Sequence, residues 1–518
     1  MPSRESSLAG GILYTDFYQL TMAQLYFRMG MHELPARFEY FFRTCPDYGM
    51  HRAGYCISAG LGWLTEWMKS ARAHDGVIRR LRSHTGKSGA PLFSEEFLNW
   101  FAQNGNFDGL TLYGMAEGRV VHPELPVIVS QGPLAMTQIL ESPLLNYMNY
   151  QTLIATKASR IKRAGAHNLT IEFGMRRAQA TASNAGARAA LIGGVDFTSN
   201  TGISYELGVP PKGTHAHSMI QAFLSLGQTE LDAFRAYADL YPDDCILLVD
   251  TIDVLKSGLP NAITVFEELR GRGHTPAGIR LDSGDLVYQI IQSVRLLDKA
   301  GFDNVPIVLS NQLDEFVLLN LISELKNDCH AAGLDPHSVI NRLTYGVGTR
   351  LITSWGAASL DGVYKLTALQ RNGEWAPALK LSENPDKILN PGSKRVWRLY
   401  DAQSKAIGDC LSLPDEDIGS YSHLELYPTR DNDRRVNIDA GDISEIEPVH
   451  ETLFENGATS TPADWLDSAR KLRVTDERRL KDEIVHLTNP HTYPVYLTRK
   501  LRDYKREQIA SVVSENTH

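Results

Sequence analysis

Cysteine is scarce in this chain of 518 residues: Cys45, Cys56, Cys245, Cys329 and Cys410 are scattered, with no Cys-x-x-Cys pair. An odd, dispersed set does not build a disulfide scaffold and reads as reduced thiols in a reducing compartment. Long apolar runs are also missing. No stretch approaches the roughly 20 residues that span a bilayer, and residues 1–20 lack the continuous apolar core of a secretion signal. A cytoplasmic location and no membrane partner are the expectation. Basic charge is not in excess, since 52 Lys and Arg stand against 61 Asp and Glu, a net charge of −9. That balance argues against nucleic acid as the main partner, although local arginines and backbone amides can still hold a polyphosphate. There is no fixed-period repeat and no low-complexity tract. What remains is an ordinary globular composition, 43% hydrophobic and 22% charged, long enough for two or three cores.

The pattern along the chain changes twice. Thr15 or Asp16 can cap a helix that stops at Gly30, with Tyr18, Met22, Leu25 and Met29 at helical spacing. Short β-favouring runs follow at residues 37–43, 110–113 and 127–129, and residues 146–163 predict a long helix closed by Gly165. From there apolar runs alternate with helical stretches: residues 169–171, 190–192, 246–249, 278–281, 307–309 and 343–345, with 362–364 as a seventh candidate. Alternating strands and helices imply parallel pairing through right-handed crossovers, so a barrel or incomplete barrel is expected, with a doubly wound open sheet as the alternative. Beyond residue 370 the rhythm gives way to a more charged region, in which 470–486 and 497–512 read as amphipathic helices with solvated basic faces. The expected organisation is an α+β domain at 1–145, an α/β barrel at 146–370, and a region at 371–518 that completes the first domain.

Polar residues follow each of these runs. Glu172 and Arg176-Arg177 follow the first; Asp196, Thr198, Ser199 and Asn200 the second; then come Asp250-Thr251, Asp282-Ser283-Gly284-Asp285, Ser310-Asn311 and Gly346-Val347-Gly348-Thr349. Carboxyl ends of barrel strands converge on one mouth, so a series of polar strand ends predicts a polar ligand site. Gly346 and Gly348 would let backbone amides approach a phosphate, and Thr349 adds a hydroxyl. Asp282 and Asp285 suit sugar hydroxyls or Mg2+; a helix N-cap explains the same residues. Gly213-Thr214-His215-Ala216-His217-Ser218 carries two histidines. A zinc site would need further histidines at later strand ends, and none stands there. Packing or capping histidines remain one reading, and a histidine acting as nucleophile or acid–base group the other.

Taken together these segments resemble the nicotinate phosphoribosyltransferase family over nearly the full length. The resemblance rests on residues 15–22 (TDFYQLTM), 38–43 (FEYFFR), 141–146 (ESPLLN), 154–157 (IATK), 172–177 (EFGMRR), Gly213-Thr214-x-Ala216-His217-Ser218, 281–285 (LDSGD), Gly346-Val347-Gly348-Thr349 and 380–385 (KLSENP). Nicotinamide-using relatives do not share the histidine segment. One departure is Phe197, where many members have glycine before Thr-Ser-Asn. The resemblance implies a type II phosphoribosyltransferase fold, an incomplete α/β barrel with an α+β domain built from both chain ends. It implies ATP-coupled, Mg2+-dependent transfer of phosphoribosyl from phosphoribosyl pyrophosphate to nicotinate, giving nicotinate mononucleotide and pyrophosphate in NAD salvage. It also implies a homodimer with shared sites. By resemblance, His217 is the phosphorylated residue and Asp282 a catalytic carboxylate, while Tyr18, Thr214 and Arg280 contact nicotinate. Arg177, Ser283, Gly284, Gly346, Gly348 and Thr349 hold phosphoribosyl pyrophosphate. The Mg2+ ligands are left open between pyrophosphate itself and Asp282 or Asp285.

Overall fold

The computed structural model describes residues 8–380, 390–431 and 433–516. The segment 380–385 lies outside them from residue 381 onward. The chain divides into two compact units, Met1–Leu153 with Ser359–His518, and Ile154–Ala358. No helix among the described residues is long and apolar enough to cross a membrane.

The second unit is built on a six-stranded sheet in the spatial order Phe197–Thr198, Thr170–Glu172, Leu343–Val347, Ile307–Leu309, Gly278–Leu281, Ile246–Leu248. Every neighbouring pair is parallel. The two outermost strands each pair on one side only, so the barrel is incomplete. Ile307, Val308 and Leu309 are all buried, as expected for a strand covered on both faces. Helices Thr181–Ile192, Leu259–Gly271, Leu286–Lys299 and Glu315–Ala331 belong to this unit. Their starts are written locally: Asp285 accepts from Tyr288 N–H, and Asp314 from Phe316 and Val317 N–H. On Leu286–Lys299 the buried Val287, Ile290, Ile291, Val294 and Leu297 recur at helical spacing. Each such side chain contributes roughly 1.5–3 kcal/mol by leaving water. Deep in the unit, Glu315 pairs with Lys157 at 2.9 Å and Arg160 at 3.4 Å, all three side chains being 1% exposed.

Two expected strands are corrected. Residues 190–192 end the helix Thr181–Ile192, which is buried from Ala185 to Ile192, so no helical periodicity marks it in the sequence. The strand follows at Phe197–Thr198. Residues 362–364 begin the strand Gly362–Arg371, which runs antiparallel to Pro35–Phe42 with Tyr364 opposite Tyr40. That strand belongs to the first unit.

The first unit holds a seven-stranded sheet in the order Glu374–Pro377, Gly362–Arg371, Pro35–Phe42, Ile128–Pro133, Thr111–Gly114, Glu451–Glu455, Ala458–Thr459. Its pairs are antiparallel. A second sheet, six strands between Arg395 and Thr498, occupies the region where only charge was legible. Its apolar centre is Leu399, Cys410, Ile418, Leu424 and Leu426. The buried Arg398 forms a two-pronged pair with Asp409 at 2.8 and 2.9 Å and reaches Asp476 at 3.3 Å. Asp476 lies on the helix Trp465–Arg479, which is shorter and earlier than expected; the last helix is Arg499–Asn516.

Candidate active site

Strand ends of the second unit converge on a cleft of about 310 Å³. Its walls include Arg176, Arg177, Ser199, Thr214, Arg280, Asp282, Ser310 and the loop Gly346, Gly348, Thr349 and Arg350.

Arg280 is its centre. The side chain leaves the strand Gly278–Leu281 and donates from Nε to Ser310 Oγ at 2.9 Å and from Nη1 to Thr214 Oγ1 at 2.9 Å. Nη2 pairs with Asp282 Oδ2 at 3.2 Å, and the guanidinium lies over the Phe173 ring, 5.5 Å from its centroid. Two of the five N–H donors make hydrogen bonds, which leaves one on Nη1 and two on Nη2 beside the Asp282 ion pair, donors of the kind that a carboxylate accepts two-pronged. Thr214 donates its own hydroxyl to His215 O at 3.1 Å, so it must rotate to donate to a ligand.

Asp282 accepts from Ser310 Oγ through its other oxygen. Behind it stands Asp250, with a side chain 2% exposed. Its Oδ2 accepts from Ser283 Oγ at 2.6 Å and from Asp282 N at 3.3 Å. Its Oδ1 is buried with no hydrogen-bond partner among the described residues. His217 opens the helix His217–Ser225; its Nε2 is 3.8 Å from both Asp250 Oδ1 and Asp282 Oδ2, and its Nδ1 is 3.2 Å from Thr251 Oγ1. The His217 side chain is 40% exposed, so its ring is accessible from outside the protein.

The opposite wall is cationic. Glu172, fully buried, accepts from Gly174 N and from Thr198 Oγ1 at 2.7 Å, and burial raises its pKa. It thereby holds the turn Met175–Arg177. Arg176 and Arg177 line the cleft without a carboxylate partner among the described residues, whereas Arg350 is paired with Asp314 at 2.6 Å. Two unpaired guanidiniums beside the backbone amides of Gly348 and Thr349 suit a phosphate. Gly346 is required sterically, because a Cβ there would lie 2.3 Å from the Phe173 ring.

Several expected residues do not line the cleft. Ser283 is turned to Asp250, and Gly284, with φ +79°, serves the turn between strand and helix. Asp285 is an N-cap, as the simpler reading had it. Asp196 is only half-buried and is engaged elsewhere, taking Lys162 Nζ at 2.6 Å and Thr170 N at 2.8 Å. Asn200 is buried against Asn184 at 2.9 Å. His215 is buried 33 residues from its partner Leu248, whose N–H its ring accepts at 3.1 Å. Tyr18 lies in the first unit on the helix Phe17–Arg28, 48% exposed. Other cleft residues were not singled out in the sequence: Gln312, Leu313 and Arg350. Asn311 (φ +95°) and Gln312 (φ +55°) both take left-handed backbone, which non-glycine residues adopt at a cost.

No group of three or more His, Cys, Asp and Glu side chains that could hold a metal ion occurs among the described residues.

Residues 13–149, 169–389 and 393–505 match, in turn, the N-terminal domain, the family region and the C-terminal domain of nicotinate phosphoribosyltransferase. Nicotinate phosphoribosyltransferase of Bacillus subtilis (strain 168) is 36% identical over 507 residues, covering 97% of this chain and 96% of the relative. The Homo sapiens protein of that name is 31% identical over 96% of each chain. The crystal structure of human nicotinic acid phosphoribosyltransferase superimposes with a TM-score of 0.78 at 27% identity, over 95% of this chain and 99% of that one. A nicotinate-nucleotide pyrophosphorylase from Pyrococcus furiosus shares the fold, with a TM-score of 0.64 at 19% identity. Matches in all three stretches, end-to-end relatives and a common type II phosphoribosyltransferase fold agree: the chain belongs to the nicotinate phosphoribosyltransferase family.

Proposed function

We propose that the protein transfers phosphoribosyl from phosphoribosyl pyrophosphate to nicotinate, releasing nicotinate mononucleotide and pyrophosphate in NAD salvage, with ATP hydrolysed alongside. The observation that carries this reading is Arg280. It hydrogen-bonds Ser310 and Thr214, pairs with Asp282, and lines one cleft with Arg176 and Arg177, which have no carboxylate partner among the described residues.

The pyridine carboxylate lies on the Arg280 fork, with the Thr214 hydroxyl alongside, and the ring stacks on Tyr18 of a second copy in a homodimer. Arg177 and the amides of Gly348 and Thr349 take the phosphates. The ring nitrogen forms a bond to the anomeric carbon as the bond to pyrophosphate breaks, its electron pair leaving with pyrophosphate. The sugar is cationic at that point, and the Asp282 carboxylate stabilises it while arginine neutralises the leaving group. Mg2+ supplies further neutralisation of the pyrophosphate when bound. Of the carboxylates suggested for it, Asp282 faces the cleft, whereas one Asp285 oxygen is committed to its helix cap. Asp282 is therefore the side chain that would hold the ion, which would neutralise charge on the pyrophosphate.

His217 takes the γ-phosphoryl of ATP on a ring nitrogen as ADP leaves, and water later cleaves it to phosphate. The phosphohistidine adds about −2 charge next to the cleft, which gives ATP a means to alter the affinity for substrates. The deciding assay is pyrophosphate release with nicotinate and phosphoribosyl pyrophosphate, with and without ATP. His217→Ala is expected to abolish the ATP stimulation and leave a weak ATP-independent transfer. Phosphate label on His215, or on no histidine, would contradict the assignment.

A further inference from the structure

The strand Ile246–Leu248 is an open edge of the parallel sheet, paired with Gly278–Leu281 and with no second strand among the described residues. On such an edge alternate N–H groups point outward with no ladder partner. Val249 N–H points inward, to Arg280 O at 3.2 Å, so Leu248 N–H points to the open side, where it is buried. His215 meets it. Its Nε2 accepts from Leu248 N at 3.1 Å, and its Nδ1 lies 3.4 Å from Ala216 O. With Nε2 as acceptor, Nδ1 carries the hydrogen and the ring is neutral. The imidazole is 8% exposed and packs edge-on against Tyr237, with centroids 5.0 Å apart. Burial holds it in the neutral form, with its pKa lowered to about 4. Where the barrel has no next strand, a side chain stands in for the missing acceptor.

This contact sits between two groups of the proposed chemistry. Thr214, one residue before, is held by Arg280 at 2.9 Å. His217, two residues after, faces Asp250 and Asp282. A displacement of about 1 Å at such groups costs on the order of 100-fold in rate. We propose that His215 is a positioning residue: by accepting the Leu248 N–H it registers residues 213–217 against the open edge of the sheet, placing Thr214 at Arg280 and His217 at the two carboxylates. The consequence for catalysis rests on the phosphoribosyl-transfer reading; the latch itself does not.

His215→Leu keeps apolar bulk against Tyr237 but has no acceptor, while His215→Gln offers an oxygen. Each full-length variant is compared with the parent protein by hydrogen-exchange mass spectrometry over Cys245–Thr251, by Michaelis constants for both substrates, and by phosphohistidine yield from labelled ATP. His215→Leu is expected to expose the Leu248 amide to exchange, to raise the nicotinate constant and to lower the phosphohistidine yield, each by roughly tenfold or more. The phosphoribosyl pyrophosphate constant should move less than about twofold, because Arg177 and Gly346–Thr349 stand on other strands. His215→Gln should recover most of each loss. Parent-like kinetics in His215→Leu overturn the proposal, and so does a His215→Gln as impaired as His215→Leu. If His215→Leu does not fold, His215→Gln decides: fast exchange at Leu248 with an undisturbed nicotinate constant overturns it. A parent protein that releases no pyrophosphate with nicotinate overturns the functional reading alone, since the exchange comparison still judges the latch.

Discussion

Arg280 and His215 show how differently two polar side chains of one site are used. Arg280 keeps N–H donors on both terminal nitrogens beyond its two hydrogen bonds, and its charge-assisted grip on a carboxylate is expected to contribute roughly 1.5–3 kcal/mol. Arg280→Ala should therefore raise the Michaelis constant for nicotinate about ten- to a hundredfold and narrow the preference over nicotinamide, whose amide N–H groups would face donors. Competition kinetics between the two pyridines measures both. A folded variant that keeps the full preference would mean that another residue reads the carboxylate. His215, in contrast, has no donor or acceptor to spare. Its folded pKa is lowered to about 4 from 6.5, chiefly by burial, with Arg280 and His217 as nearby charges. The unfolded chain binds its proton first as pH falls, so its contribution to stability is fully present above 6.5 and lost as pH drops toward 4. The melting temperature of the parent protein should fall more steeply across that window than that of His215→Gln, and equal slopes would refute the linkage.

At the scale of elements, strand and turn geometry decides which residues of a motif reach the ligand. The end of Leu343–Val347 closes against the Phe173 ring, itself beneath Arg280. Gly346→Ala would push that ring, and overpacking of this kind costs about 1–3 kcal/mol. A lower melting temperature is expected, together with weaker binding of phosphoribosyl pyrophosphate by calorimetry. Undisturbed binding would show that the loop does not hold the phosphate. The 281–285 segment divides its labour: Asp282 faces the cleft, Ser283 fastens Asp250, and Asp285 starts a helix. Strand-end position and the family resemblance made them candidates, and neither gives the direction of each side chain. The same limit applies to Asp196, which precedes its two-residue strand and turns to Lys162.

For the whole molecule, the N-terminal helix supplies the expectation. Tyr18, Leu25 and Met29 are 48%, 55% and 64% exposed at helical spacing, an apolar stripe of the kind that a partner covers. In the proposed homodimer Tyr18 completes a neighbour's site. Mixing inactive Tyr18→Ala chains with His217→Ala chains, which lack ATP stimulation, should then restore ATP-stimulated activity at hybrid sites. No recovery despite demonstrated subunit exchange would count against shared sites.

Much of this protein was decided locally, along the chain. The parallel sheet was legible because five of its six strands are short apolar runs ending in polar residues, and much of the site because Arg280, Asp282 and the Gly346–Thr349 loop stand at or beside those ends, whereas His217 opens a helix between strands. The caps Asp285 and Asp314 were local too, since they depend on neighbours three residues away. Other features depend on partners far along the chain. Residues 190–192 became helix because that segment is buried all round, which erases periodicity. Residues 362–364 left the barrel because their pairing partner is a strand more than 300 residues earlier. The sheet between Arg395 and Thr498 was hidden because Arg398, Asp409 and Asp476 neutralise one another only after folding. Only the tertiary structure gave the two histidines their separate roles. His217 meets carboxylates from two other strand ends, while His215 is drawn to an edge amide 33 residues away, a contact that spacing within the motif does not encode.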